Sequence, residues 1–177
     1  MLGLLSIETA CGTLEFDPAV GNIPRLRFFW ADRSIEPLHA APWRDEPEAQ
    51  ADPALPPAEK RLAGDFFCAP FAAAADPGVP PHGWTANSPW RVEEHEAGRL
   101  RLVLARAVSG AKVTKSLELG RDAPLLYQEH VIEGGGGILP VAHHPMVHLS
   151  GRGQFFTSKK RAVLTPDRPL EPGRSCL

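Results

Sequence analysis

The chain is short of cysteine, of basic charge and of long apolar runs, and each shortage removes a class of protein. Its three cysteines, Cys11, Cys68 and Cys176, are odd in number and widely spaced. That fits neither a disulfide framework nor a C-x-x-C metal site, and a reducing cytoplasm is the expected compartment. A net charge of −2 and a pI near 6.4 give no general attraction to nucleic acid or to anionic lipid. Lys159-Lys160-Arg161 is too short a basic run to alter this. No uncharged apolar segment reaches the length of about 18 residues that a membrane helix needs. Met1-Leu2-Gly3-Leu4-Leu5 has neither the basic lead nor the apolar length of a signal peptide. Neither a nucleic-acid nor a membrane partner is expected.

Proline and glycine are abundant instead, 19 and 16 among 177 residues. They punctuate the chain too often for long helices, so an all-β architecture is favoured. The length suits one domain with a sizeable core, and residues 1–177 are read as one unit. Leu2 to Thr9 and Gly12 to Phe16 read as a hairpin, and Arg25 to Trp30 as a third strand after a turn at Gly21-Asn22. Ala41 to Ala58, rich in proline and acid, reads as an exposed loop. Gly64 to Phe71 reads as a short buried strand, which Ala72 to Ala75 extend or turn into one helical turn. Four strand-like runs follow, Trp90 to Glu96, Leu100 to Ala107, Ala111 to Leu119 and Leu125 to Glu133, broken at glycines as in a sandwich or barrel. Leu100, Leu102 and Leu104 alternate with Arg99, Arg101 and Val103, which predicts one buried face, one wet face and antiparallel pairing. Gly134 to Gly137 reads as a loose hairpin, and residues 166–177 as a loose tail.

The histidines are what this framework does not explain. His143, His144 and His148 lie in Val141-Ala142-His143-His144-Pro145-Met146-Val147-His148-Leu149-Ser150-Gly151, and His82 lies in Pro80-Pro81-His82-Gly83-Trp84. Histidine exchanges a proton near neutrality and, when neutral, ligates metals. Two prolines stiffen the chain before His82, and Gly83 permits a tight turn after it. On a strand, His144, Met146 and His148 share one face while His143, Val147 and Leu149 share the other. Pro145 cannot donate to a ladder, which places this strand at an edge, a bulge or an opening.

These residues resemble the aldose 1-epimerases, or galactose mutarotase-like proteins. The family's histidine strand reads N-H-x-Y-F-N-L-x-G. Here His143 stands at the first Asn, His144 at the His and His148 at the second Asn, with Leu149 and Gly151 in place and the aromatic pair replaced. The family's H-G followed by Trp is similar to His82-Gly83 with Trp90, in Pro81-His82-Gly83-Trp84-Thr85-Ala86-Asn87-Ser88-Pro89-Trp90. Asn22 to Trp30 and Gly64 to Phe71 also resemble family segments, although Cys68, Ala69 and Pro70 stand near the family's Asn-Arg pair.

The resemblance implies an antiparallel β-sandwich of the galactose mutarotase type, a supersandwich of which this chain holds the first half to two-thirds. It also implies interconversion of the α and β anomers of an aldose, with a small sugar as the binding partner and no cofactor. By analogy His144 protonates the ring oxygen and His82 hydrogen-bonds the sugar beside it. The family's base is a Glu, with a sugar-binding Asp before it, in the C-terminal part of longer chains, and no acid here matches either. The expectation is therefore a shortened sandwich with unpaired strand edges, which a homodimer would cover.

Trp84 and Trp90 either stack on a sugar face or fill core beside Phe66 and Phe67. His148, on the face of His144, is a further sugar contact. Asp65 reads as a turn cap or as a buried carboxylate, His39 and His95 as surface histidines, and Cys68 as a small core residue rather than a nucleophile. Two rival readings stand beside the epimerase. One is a carbohydrate-binding module that lacks the base, and the other is a metal site built from His82, His144 and His148.

Overall fold

A computed structural model describes residues 3–71 and 78–162. The readings made for Leu2, for Ala72 to Ala75 and for the tail lie outside those residues. Alternating burial and turn-forming residues divide the described chain into ten strands: β1 Leu5–Thr9, β2 Gly12–Asp17, β3 Asn22–Trp30, β4 Arg33–Ile35, β5 Asp65–Cys68, β6 Trp90–Glu96, β7 Arg99–Leu104, β8 Ala111–Leu119, β9 Leu126–Gly134 and β10 Ala142–His143. Two antiparallel sheets result. One runs β1-β2-β3-β5-β10 with β4 paired to β3, and the other runs β6-β7-β8-β9. The all-β expectation holds at this level. Among the described residues no helix is long and apolar enough to cross a membrane.

The sheets share one core. Ile7, Leu14, Phe16 and Ile23 from the first pack against Leu100, Leu102, Val113 and Leu117 from the second, with Trp90 between them. At the β1 end the sheets are also joined by hydrogen bonds: the Glu8 N–H donates to the Ala97 carbonyl at 2.5 Å, and His95 Nε2 meets the Ser6 carbonyl at 2.8 Å. At the other end β10 and β9 are the edge strands. There Tyr127, Val147 and Leu149 are exposed.

Three local readings are corrected. Asn22 is the first residue of β3 rather than part of the turn, which Gly21 closes by donating its N–H to the Asp17 carbonyl at 2.8 Å. Gly21 has φ +74°, and a Cβ there would sit 2.1 Å from Trp90 Nε1, so packing as well as the turn demands glycine. Within residues 41–58 the chain is not a plain loop. It forms short helical turns at Pro42–Asp45, Pro47–Ala51 and Pro57–Lys60, each opened by a proline whose missing N–H costs nothing at that position. Ala41 and Ala58 in this segment are buried. Val103 does not face water as its alternation with the leucines suggests, for it is buried too.

β5 is the strand that organises the histidines. All four of its residues are buried. Asp65 and Phe67 face the second sheet, while Phe66 and Cys68 face the outer side, where they cluster with Ala58 and Ala86.

Candidate functional site

β10 runs along β5, with Ala142 opposite Cys68 and His143 opposite Phe67. Past the strand proper, the His144 N–H donates to the Phe66 carbonyl and the Met146 N–H to the Gly64 carbonyl. Residues 143 and 145 therefore direct their backbone nitrogens to the open side, where a proline sacrifices no ladder bond. This meets the edge position expected of Pro145. It also splits the adjacent histidines between the two faces of the sheet.

On the outer face His144 stacks on Phe66, with ring centroids 4.8 Å apart and planes 9° apart. His82 meets His144 edge-on at 5.2 Å and 80°, and meets Phe66 edge-on at 5.4 Å. Two histidines far apart in the chain thus share one partly exposed patch. Burial, then the charge of His144, lowers the pKa of His82, which keeps its imidazole neutral at physiological pH. The Nδ1 of His144 is buried and, among the described residues, has no hydrogen-bond partner.

The His82 loop is held by backbone demands that only a few residues can meet. His82 and Gly83 both have positive φ, +66° and +74°. Gly83 bridges to Ala69 beyond the end of β5, so close that a Cβ there would sit 2.0 Å from the Ala69 carbonyl oxygen. Asn87, buried beneath the loop, donates from Nδ2 to the Pro81 and Gly83 carbonyls, both at 2.8 Å. Its Oδ1 accepts the Ala58 N–H at 3.0 Å. Thr85 Oγ1 accepts the Ala69 N–H at 2.9 Å. Asn87 and Thr85 stand in the stretch that resembles the family but carry no role of their own in the sequence. An Asn after H-G-x-x-x, among turn formers, is a weak signal until its three partners are known.

The remaining predicted site residues lie elsewhere. His148 does not join His82 and His144. Its N–H donates to the Pro37 carbonyl and its exposed ring stacks on His39 at 6.3 Å, because the chain leaves β5 there to bridge Leu38 through Val147. The three-histidine metal site is thereby undone. Among the described residues no three His, Cys, Asp or Glu side chains are gathered to hold a metal ion. Trp90 takes the core role of the two open to it: it is 1% exposed and donates from Nε1 to the Thr85 carbonyl at 3.0 Å. Trp84 is half-buried against the core, and one ring face carries the Arg106 guanidinium at 3.4 Å from its centroid. His39 and His95 are exposed, as read.

A second polar cluster lies between the sheets. His143 Nδ1 is 2.9 Å from Asp65 Oδ2, and Gln128 Nε2 donates to the same oxygen at 2.7 Å. Burial works to raise the Asp65 pKa, but the hydrogen bonds from His143 and Gln128, backed by the charges of His143 and Lys115, hold it lowered. Asp65 is therefore the buried carboxylate of its two readings, with the opposite shift from the usual one. His130 stacks on Phe67 at 3.9 Å, and its pKa is lowered to about 2 by burial, then by Lys115 and His143. Lys115, wholly buried, donates to the Gly21 carbonyl at 2.9 Å, and burial lowers its pKa to about 8.

One cavity, of about 330 Å³, reaches Gln128 of the inner cluster, and two others lie outside the clusters. One of about 400 Å³ is lined by Pro53, Leu55, Pro80, Pro81, Trp84 and Asn87 among others, and so adjoins the His82 loop. A larger one of about 470 Å³ lies at Asp17, Arg44, Asp45 and Arg61, away from both clusters.

Comparison with protein-family models, with curated proteins and with solved structures finds nothing that matches this chain.

Proposed function

We propose that the outer-face pair His82 and His144 binds an aldose and acts on its anomeric centre, as the resemblance to aldose 1-epimerases implies. The observation that supports this is the edge-on packing of the two rings at 5.2 Å, at the positions of the family's two histidines. A galactose mutarotase-type sandwich is the matching proposal for the fold. In this reading a protonated His144 gives its proton to the ring oxygen as the bond from that oxygen to the anomeric carbon breaks. The anomeric hydroxyl gives its proton to solvent water and the aldehyde forms. Closure on the other face reverses these steps. His82, kept neutral, hydrogen-bonds the sugar beside the ring oxygen. A positioned acid of this kind contributes roughly 10²–10⁴ in rate.

Water is a weak acceptor for that proton. Among the described residues no carboxylate hydrogen-bonds or ion-pairs with either ring, an observation that favours a second reading, a module that binds sugar without turning it over. Titration with glucose and galactose, followed through the imidazole NMR signals of His82 and His144, tests what the two readings share. Both signals move in the wild type, and the His144 signal stays still in His82→Ala. Signals unmoved by any aldose at millimolar concentration contradict both.

A further inference from the structure

We infer that Cys68 is a positioning residue for His82, its thiol hydrogen lying on Nδ1 so that the ring carries its proton on Nε2. The inference deepens the proposed sugar site, on which its functional meaning rests.

The geometry comes from β5 and the Gly83 bridge. β5 turns Cys68 to the outer face, where it is fully buried beside Phe66. The close approach of Gly83 to Ala69 brings the His82 ring over that strand, with Cys68 Sγ 3.6 Å from His82 Nδ1. Phe66 and His144 meet the ring edge-on from other directions. The Asn87 and Thr85 hydrogen bonds fix the loop that carries it. The ring therefore has one hydrogen-bonding neighbour at Nδ1 among the described contacts, and that neighbour is a thiol.

A thiol has one hydrogen to donate and is a poor acceptor, so the favourable arrangement is S–H to Nδ1. The thiol keeps that hydrogen at every ordinary pH. Burial, then the negative charge of Asp65 on the other side of the strand, pushes Cys68 up to about 12. Its complete burial fits the reading of Cys68 as a small core residue. With Nδ1 engaged as an acceptor, the proton of neutral His82 resides on Nε2. That makes His82 a donor toward a sugar oxygen rather than a second proton acceptor, and it separates the work of the two histidines. The hydrogen bond made at one ring nitrogen decides in this way which nitrogen carries the proton.

The test is nitrogen NMR of the ring in the full chain, without sugar, so it is decided separately from the proposed activity. The wild type at pH 7.5 is expected to show an unprotonated Nδ1 and a protonated Nε2. Cys68→Ser keeps a donor and keeps that pattern. Cys68→Ala frees Nδ1, and the His82 titration midpoint rises by about half a pH unit or more, the size that a hydrogen bond of ordinary strength gives. A proton found on Nδ1 in the wild type overturns the inference even if no variant folds. A midpoint unmoved in a folded Cys68→Ala overturns it as well. In sugar titrations Cys68→Ala then weakens binding several-fold and Cys68→Ser restores it. A tautomer as expected with no sugar binding at all would leave Cys68 as the positioner of His82 while removing the proposed substrate.

Discussion

His143 and Asp65 are hydrogen-bonded, Nδ1 to Oδ2, at 2.9 Å on the inner face of a sheet whose outer face carries His144. Two neighbouring histidines thus have opposite roles. His144 faces the exposed patch with His82, while His143 closes a polar network that reaches Gln128, His130 and Lys115 between the sheets. The alternation of β10, continued past its end by the His144 N–H donating to the Phe66 carbonyl, produces this separation.

Acid should unfold the protein through this inner network. Asp65 has a lowered pKa, so it contributes stability above its unfolded value of 3.8 that is lost as pH falls through the folded one. His130 acts in the same direction: the unfolded chain takes up its proton near 6.5, the folded chain only at about 2, so stability declines from 6.5 downward. A single such proton changes the folding equilibrium about tenfold for each pH unit. His130→Phe keeps a ring to stack on Phe67 and removes the proton. Urea denaturation at pH 7.5, 6 and 5 should show a smaller loss of stability for the variant than for the wild type.

Gly83→Ala should displace the His82 loop. An L residue in the left-handed region costs about 1–2 kcal/mol. The added Cβ also meets the Ala69 carbonyl oxygen at 2.0 Å, against backbone that cannot swing aside. The melting temperature should fall, and the titration of His82 should return toward the ordinary 6.5 as the ring leaves its buried position.

Asn87→Ala removes one side chain and strands three backbone groups, the Ala58 N–H and the Pro81 and Gly83 carbonyls. Each buried group left without a partner costs about 1–3 kcal/mol, so a total loss of a few kcal/mol is expected. Amide exchange should quicken around residue 58 and through residues 78–90, with the second sheet protected as before. Uniform loss of protection would instead mean that Asn87 supports the whole fold.

The sheets were legible where side-chain alternation is strict. Leu100, Leu102 and Leu104 lie buried as read, and the turns at Gly98 and Gly110 fall between strands. β4 was not legible, since three exposed residues carry no periodicity. The outer pair His82 and His144 followed from the two motifs, because each histidine sits in a segment of unusual composition. His148 misled: it shares the alternation of His144, but the chain changes partner from β5 to Leu38 before reaching it. The inner network was overlooked although its signal was present. Lys115 shares a face with Val113 and Leu117, and His130 shares one with Gln128, so both point inward by the same alternation rule. Charge made them look like surface residues. The Gly21 carbonyl and the charge of Asp65 offset the burial of Lys115, while His130 is buried as a neutral ring stacked on Phe67.

The most direct measurement of the central claim is polarimetry of freshly dissolved α-glucose and α-galactose with the wild type, His82→Ala and His144→Ala. The proposed acid–base role predicts that the wild type speeds the change in rotation over buffer and that each variant loses most of that acceleration. Acceleration that survives His144→Ala undiminished would contradict it.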